Sequence, residues 1–219
     1  MLTRLERFGV ELGPGLTDEE VEAAEGAYSL EFPPDLRALL QRALPQREPW
    51  EQRKEGAGGH GTPPSPTFPD WRDLDNAYIR DRLQWPTEGV LFDVERNDFW
   101  MAEWGEPPLR LDEALALAAR KVAEAPRLVP VAAHRYIPTE PHLEGNPVIS
   151  VYQTDIIYYG RDLADYFRNE YHDTQWRRFT GPFRKIRFWD YFLQDEHEQW
   201  SEAEQRLIPQ ATRSGGSRR

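Results

Sequence analysis

The 219-residue chain contains no cysteine. That excludes disulfides, thiolate zinc sites and thiol nucleophiles at once, and it accords with a reducing compartment. Long hydrophobic runs are also missing, and no window approaches the ~20 consecutive apolar residues that a membrane helix needs. The opening stretch MLTRLERFGVELGPGL has no apolar run and places Arg4, Glu6 and Arg7 close behind Met1, so it does not read as a signal peptide. A cytoplasmic protein is the expectation. Serine is scarce, with six residues, and no G-x-S-x-G elbow is present. GAGGHG (56–61) lacks the following Lys-Ser/Thr and any preceding strand, so it is no phosphate loop.

Basic residues are few relative to acids: 27 Lys and Arg against 38 Asp and Glu give a net charge of −11. Three of the bases, Arg213, Arg218 and Arg219, lie in the final nine residues, which leaves −11 − 3 = −14 for the body. Such a balance opposes attraction to nucleic acid or anionic lipid, because phosphate affinity comes from Lys and Arg. It favours a basic protein partner. Aromatics are plentiful, with 8 Trp, 9 Tyr and 10 Phe; a chain of this length can bury roughly 70% of its unfolded surface, so they can build a core without staples.

Thr17 followed by Glu20 fits a capping box, with Asp18 and Glu19 favourable in the first turn. Val21, Ala24 and Tyr28 then mark a helical apolar stripe that ends near Leu30–Phe32. A second helix starts at Pro34–Asp35, burying Leu36, Leu39 and Leu40. Residues 46–68 are rich in Gly and Pro and read as an irregular insertion loop. The pattern beyond predicts a short helix from Asn76 to Leu83 that ends before Pro86. GVLFDVE (Gly89–Glu95) and DFWMAEW (Asp98–Trp104) read as a hairpin turning at Arg96–Asn97. Leu111–Ala125 is the clearest amphipathic helix. Strands are expected at Leu128–Val131, Val148–Gln153 and Ile156–Tyr159, then a helix over Leu163–Tyr171, a helical piece over 201–208 and a disordered tail at 209–219. Helices first, strands in the middle and helices after them give an α+β fold, a single domain with a mostly antiparallel central sheet flanked by helices.

Two blocks are similar to a known family. LTDEEVEAAEGAYSLEFPPDLRALLQ (Leu16–Gln41) has an acidic helix followed by Phe-Pro-x-Asp-Leu, and Leu128–Tyr171 contains VPVAAHRYIP, GNPVISVYQTDIIYYG and DLADYF. Together they resemble the SUKH superfamily, relatives of the fungal cell-wall-synthesis regulators that are abundant in bacteria as toxin-immunity proteins. The blocks cover about a third of the chain. The 46–68 insertion and the basic aromatic stretch after Tyr171 fall outside the pattern. The resemblance implies a single α+β domain without enzymatic activity that binds a protein, often a toxin. It supplies no catalytic residues, and its binding surfaces differ among members.

The side chains offer several constellations. His134, Glu140, His142 and Asp155 can be drawn as a metal or ligand site, yet the histidine spacing crosses two prolines and matches no helical i,i+4 pair. Strand alternation puts Ile156 and Tyr158 on one side and Ile157 and Tyr159 on the other; core packing is the leading expectation for the tyrosine pair, and one exposed tyrosine serving as an interface anchor is the alternative. Trp176–Arg187 carries five bases and no acid; it reads as an internal salt-bridged face or hairpin rather than a single-strand groove. Six acids and no base lie in Thr17–Glu31, and Asp98, Glu103 and Glu106 surround Trp100 and Trp104. Such runs are solvated faces or docking surfaces for a cationic domain. The leading expectation is a non-enzymatic immunity-type domain that occludes a basic toxin through an acidic, aromatic surface. Asp98, Trp100, Glu103, Trp104, Tyr136, Asp155 and Tyr159 are the candidate contacts. No catalytic residue, cofactor or metal is assigned. The alternatives are a regulatory scaffold without a toxin, and a ligand-binding or metal-dependent enzyme using His134, Glu140 and Asp155.

Overall fold

Helix α2 (Asp18–Tyr28) begins at a complete capping box: the Glu20 N–H donates to Thr17 Oγ1 at 3.2 Å, and the Thr17 N–H donates to Glu20 Oε2 at 2.9 Å. Ser29 closes it in the left-handed region. Pro33–Pro34 then fixes the start of α3 (Pro34–Arg42). Before these lie a short helix α1 (Leu2–Arg7) and strand β1 (Leu12–Pro14), which pairs antiparallel with β2 (Ala43–Pro45). The computed structural model describes residues 1–46, 68–171, 179 and 181–193; most of the 46–68 insertion, the expected 201–208 helix and the 209–219 tail lie outside the described residues.

The main sheet is a four-stranded antiparallel meander, β3 (Leu128–Ala132), β4 (Arg135–Pro138), β5 (Val148–Tyr152) and β6 (Asp155–Gly160), in that spatial order. Its two faces carry separate cores. Val129, Val131, Ile137 and Val148 join α1, α2, α3 and α6 (Leu163–Glu170). Leu128, Tyr136, Ile149, Val151, Ile156 and Tyr158 join α5 (Leu111–Ala123) and Ile186, Trp189 and Leu193. This is the expected α+β architecture, a central sheet flanked by helices. Gly160, at the end of the Tyr-Tyr-Gly run, is required by close approach: a Cβ there would lie 2.4 Å from the Tyr166 nitrogen.

The sequence reading fails between residues 76 and 104. A single helix α4 (Ala77–Arg96) replaces the short helix and the following strand, and it runs through Pro86. Its buried residues Ile79, Pro86, Gly89, Val90 and Asp93 follow helical spacing. The supposed partner strand is a loop with a 3-10 turn over Ala102–Trp104. Alternation in GVLFDVE misled because Phe92 is 46% exposed and Asp93 is buried. Helix α4 continues because the sheet supplies what proline removes. Pro86 has no N–H for the Arg82 carbonyl one turn back, and the Tyr136 hydroxyl donates to that carbonyl at 2.8 Å.

Helix α4 crosses the end of the sheet that holds both two-residue hairpin loops, Ala133–His134 and Gln153–Thr154. Ala133 and Gln153 each sit at positive φ, 48° and 57°. Trp85 Nε1 donates to the Val151 carbonyl at 3.2 Å. Gly89 lies against the Gln153 backbone, where a Cβ would come within 2.8 Å of its Cα. Asp93 accepts from the Thr154 N–H at 2.8 Å and from Thr154 Oγ1 at 2.6 Å.

Candidate protein-binding surface

Asn97 ends α4, and its side-chain amide donates back to Asp93. Asp98 then reverses the chain with φ +53°, a conformation that Asp tolerates better than most side chains. The reversal places Phe99, Trp100 and Trp104 in one aromatic group. Trp100 and Trp104 meet edge-to-face at 5.1 Å, and Phe99 meets Trp104 at 6.0 Å. Phe99 also touches Tyr191 and Phe192, at 6.4 and 5.6 Å. Trp100 Nε1 donates to the Gly105 carbonyl at 2.7 Å, which fixes the indole orientation. Trp104 is almost wholly buried, Trp100 is half-buried, and Tyr191 is 39% exposed.

Asp98, Glu103 and Glu106, all within six residues of Trp100 in the chain, are exposed. No hydrogen bond or ion pair engages their side chains among the described residues. The segment from Glu95 to Glu106 contains four acids and one base, Arg96, which pairs with Glu95 at 3.3 Å. Unpaired carboxylates beside a half-exposed, immobilised indole can receive cations, because the ring face and the carboxylates attract positive charge together.

The other acidic run is differently occupied. In α2, Glu20 pairs with Arg72 at 2.8 Å, Asp18 accepts from Gln41 at 2.7 Å and pairs with Arg37 at 3.3 Å, and Glu25 accepts from the Phe32 N–H at 2.8 Å. Arg72 additionally donates to the Pro14 and Gly15 carbonyls. Three of that helix's five acids therefore hold α3, β1 and the segment around Arg72 in place.

The remaining candidate contacts separate. Tyr136 is fully buried and bound to α4, so it is a core residue and not a contact; burial pushes its hydroxyl pKa well up. Asp155 is exposed at the start of β6, far in the chain from the Trp100 loop and adjoining the Gln153–Thr154 turn. Tyr158 is buried with its hydroxyl 3.3 Å from Asp190 Oδ1 and its ring stacked on Phe183 at 3.7 Å. Tyr159 is half-buried beneath Arg135, whose guanidinium carbon lies 3.5 Å from the ring centroid.

His134, Glu140 and Asp155 do not converge. His134 and Asp155 lie at the hairpin-loop end of the sheet, whereas Glu140 follows β4 at the opposite end and pairs with Arg187 at 3.5 Å. His142 pairs with Glu31 at 3.4 Å. Among the described residues no group of three His, Asp or Glu side chains is placed to hold a metal ion. Burial, then the charges of Arg135 and Arg82, push His134 down to about 4. In the basic stretch, Arg184 donates to the Glu144 carbonyl and Asn146 Oδ1 at 2.8 and 2.7 Å, and just beyond it the buried Trp189 donates to the Pro126 carbonyl at 2.7 Å. The described part of that stretch is a strap over the sheet. A cleft of about 330 Å3 elsewhere is lined by Asp35, Glu144, Gly145, Asp162, Leu163 and Ala164; burial raises Asp35 above the usual carboxylate range there, although the Gly145 N–H donates to it.

Sequence reasoning placed Asp98, Trp100, Glu103 and Trp104 on a hairpin, and they meet instead on a loop. It missed Tyr191, whose contact with Phe99 bridges about ninety residues of chain and has no local signal. Among the described residues no helix is long and apolar enough to cross a membrane. Comparison with protein-family models, with curated proteins and with solved structures finds no match for the chain.

Proposed function

We propose that this chain is a non-enzymatic protein-binding domain of the SUKH type. Its acidic, aromatic surface around Trp100 takes a basic protein, in the manner of an immunity protein occluding the positively charged active site of a toxin. The observation that carries this reading is a half-buried Trp100, fixed through Gly105 and flanked in the chain by the exposed carboxylates of Asp98, Glu103 and Glu106, which have no partner among the described residues. A fixed aromatic anchor within a charged rim suits fast, salt-sensitive encounter followed by retention. The net charge of −11 adds long-range attraction to a cationic partner. The likeness of the Leu16–Gln41 and Leu128–Tyr171 blocks to the SUKH superfamily supports the immunity role.

The test is co-purification and inhibition with basic toxin domains encoded beside the gene. Binding is expected, with affinity falling as salt rises. Trp100→Ala is expected to weaken it about 30-fold, the equivalent of ~2 kcal/mol for an interface anchor. If none of the neighbouring gene products binds, the immunity reading fails.

A further inference from the structure

Among the described residues, Arg82 and Arg135 each sit over an aromatic ring and form an ion pair with a carboxylate. Arg82 sits 4.3 Å from the Trp85 ring centroid and donates through Nε and Nη2 to Asp81 Oδ2 at 2.9 and 2.5 Å. Arg135 sits 3.5 Å from the Tyr159 centroid, donates through Nη1 to Ser150 Oγ at 3.1 Å, and forms an ion pair with Glu170 at 3.8 Å without a hydrogen bond from Nε. A guanidinium suits this arrangement because its π face stacks while its in-plane N–H groups remain available for hydrogen bonds, which an ammonium cannot do.

The same components recur around Trp100. The indole is fixed through Gly105 and braced by Trp104. Asp98 precedes it by two residues and Glu103 follows it by three, both exposed and both unpaired among the described residues. No arginine or lysine of the described chain lies over this ring. We propose that Trp100, Asp98 and Glu103 seat an arginine side chain of the bound protein, its guanidinium stacked on the indole and its N–H edge on the carboxylates. The proposal rests on the reading of this face as the partner-binding surface and adds to it the chemistry of the central contact.

The indole N–H resonance of Trp100, assigned by its loss in Trp100→Phe, reports on the seat in the full 15N-labelled chain. The probes are a short blocked arginine–glycine peptide and its lysine and citrulline counterparts. The arginine peptide is expected to move this resonance and to bind at least about threefold tighter than the lysine peptide, with the citrulline peptide inert. Asp98→Asn with Glu103→Gln, both exposed and nearly isosteric, is expected to weaken the arginine peptide about fivefold. Equal binding of lysine or citrulline peptides, insensitivity to the paired substitution, or shifts confined to other indoles overturns the proposal. If a basic toxin domain still binds the full chain while arginine selectivity is absent, the seat alone falls; if the domain does not bind either, the surface reading falls with it.

Discussion

The Tyr136 hydroxyl donates to the Arg82 carbonyl, the one oxygen in the middle of α4 that Pro86 leaves without its helical N–H partner. A strand residue thus completes a helix, and one tyrosine both fills the sheet's second core and preserves the course of α4. Tyr136→Phe is expected to cost about 1–3 kcal/mol, the penalty of stranding a buried acceptor. In a Pro86→Ala background the helix supplies its own donor, so the cost should shrink by at least about 0.5 kcal/mol. Urea unfolding of the four proteins in this cycle measures the coupling, and strict additivity would show that the two residues act independently.

The other half of α4 is held by Asp93 and Gly89. Asp93→Asn leaves one carboxamide oxygen where two carboxylate oxygens accept, so either Thr154 or the Asn97 side chain faces a donor instead of an acceptor, and the change should cost about 1–3 kcal/mol. Gly89→Ala drives a methyl into the Gln153 backbone and should cost about 1–3 kcal/mol, although alanine is the better helix former. A stabilised Gly89→Ala protein in thermal or urea unfolding would mean that helix and hairpin loop separate readily.

The hairpin loops hold non-glycine residues at positive φ. Ala133→Gly is expected to stabilise the fold or leave it unchanged, by up to about 1 kcal/mol, because relief of left-handed strain outweighs the added freedom of the unfolded chain. A clear loss of urea stability would indicate that the Ala133 methyl packs productively.

His134 makes stability depend on pH in a defined direction. Its folded-state value, pushed down to about 4 by burial and then by Arg135 and Arg82, lies below its unfolded value near 6.5. The folded form binds fewer protons, so its contribution is fully present above pH ~6.5 and is lost progressively as pH falls toward 4. His134→Gln should therefore lose less stability than the parent between pH 7 and 4.5. Parallel urea midpoints for the two proteins would refute this.

Local chemistry explains which elements were legible. The Thr17–Glu20 box, the Pro33–Pro34 start, the α5 stripe and the β3, β5 and β6 patterns all follow from neighbours within a few residues. Strand β4 was illegible as an element because its Ala133–His134 loop lacks the Asn-Gly or Asp-Gly signal of a tight hairpin. The three-residue strands β1 and β2 are too short to show alternation and contain prolines. The candidate surface was legible as a charged aromatic run, but not as a loop, since its anchors at Tyr191 and Phe192 lie some ninety residues away.

Composition and short-range spacing were enough to exclude thiol chemistry, to fix an acidic molecule and to set most helix starts, because those properties reside in single residues or one helical turn. Whether α4 stops at Pro86 or continues, and whether an aromatic becomes core like Tyr136 or surface like Trp100, could be decided only by partners brought from elsewhere in the chain. A carbonyl needs a donor whatever its sequence distance, and only the folded sheet provides this one.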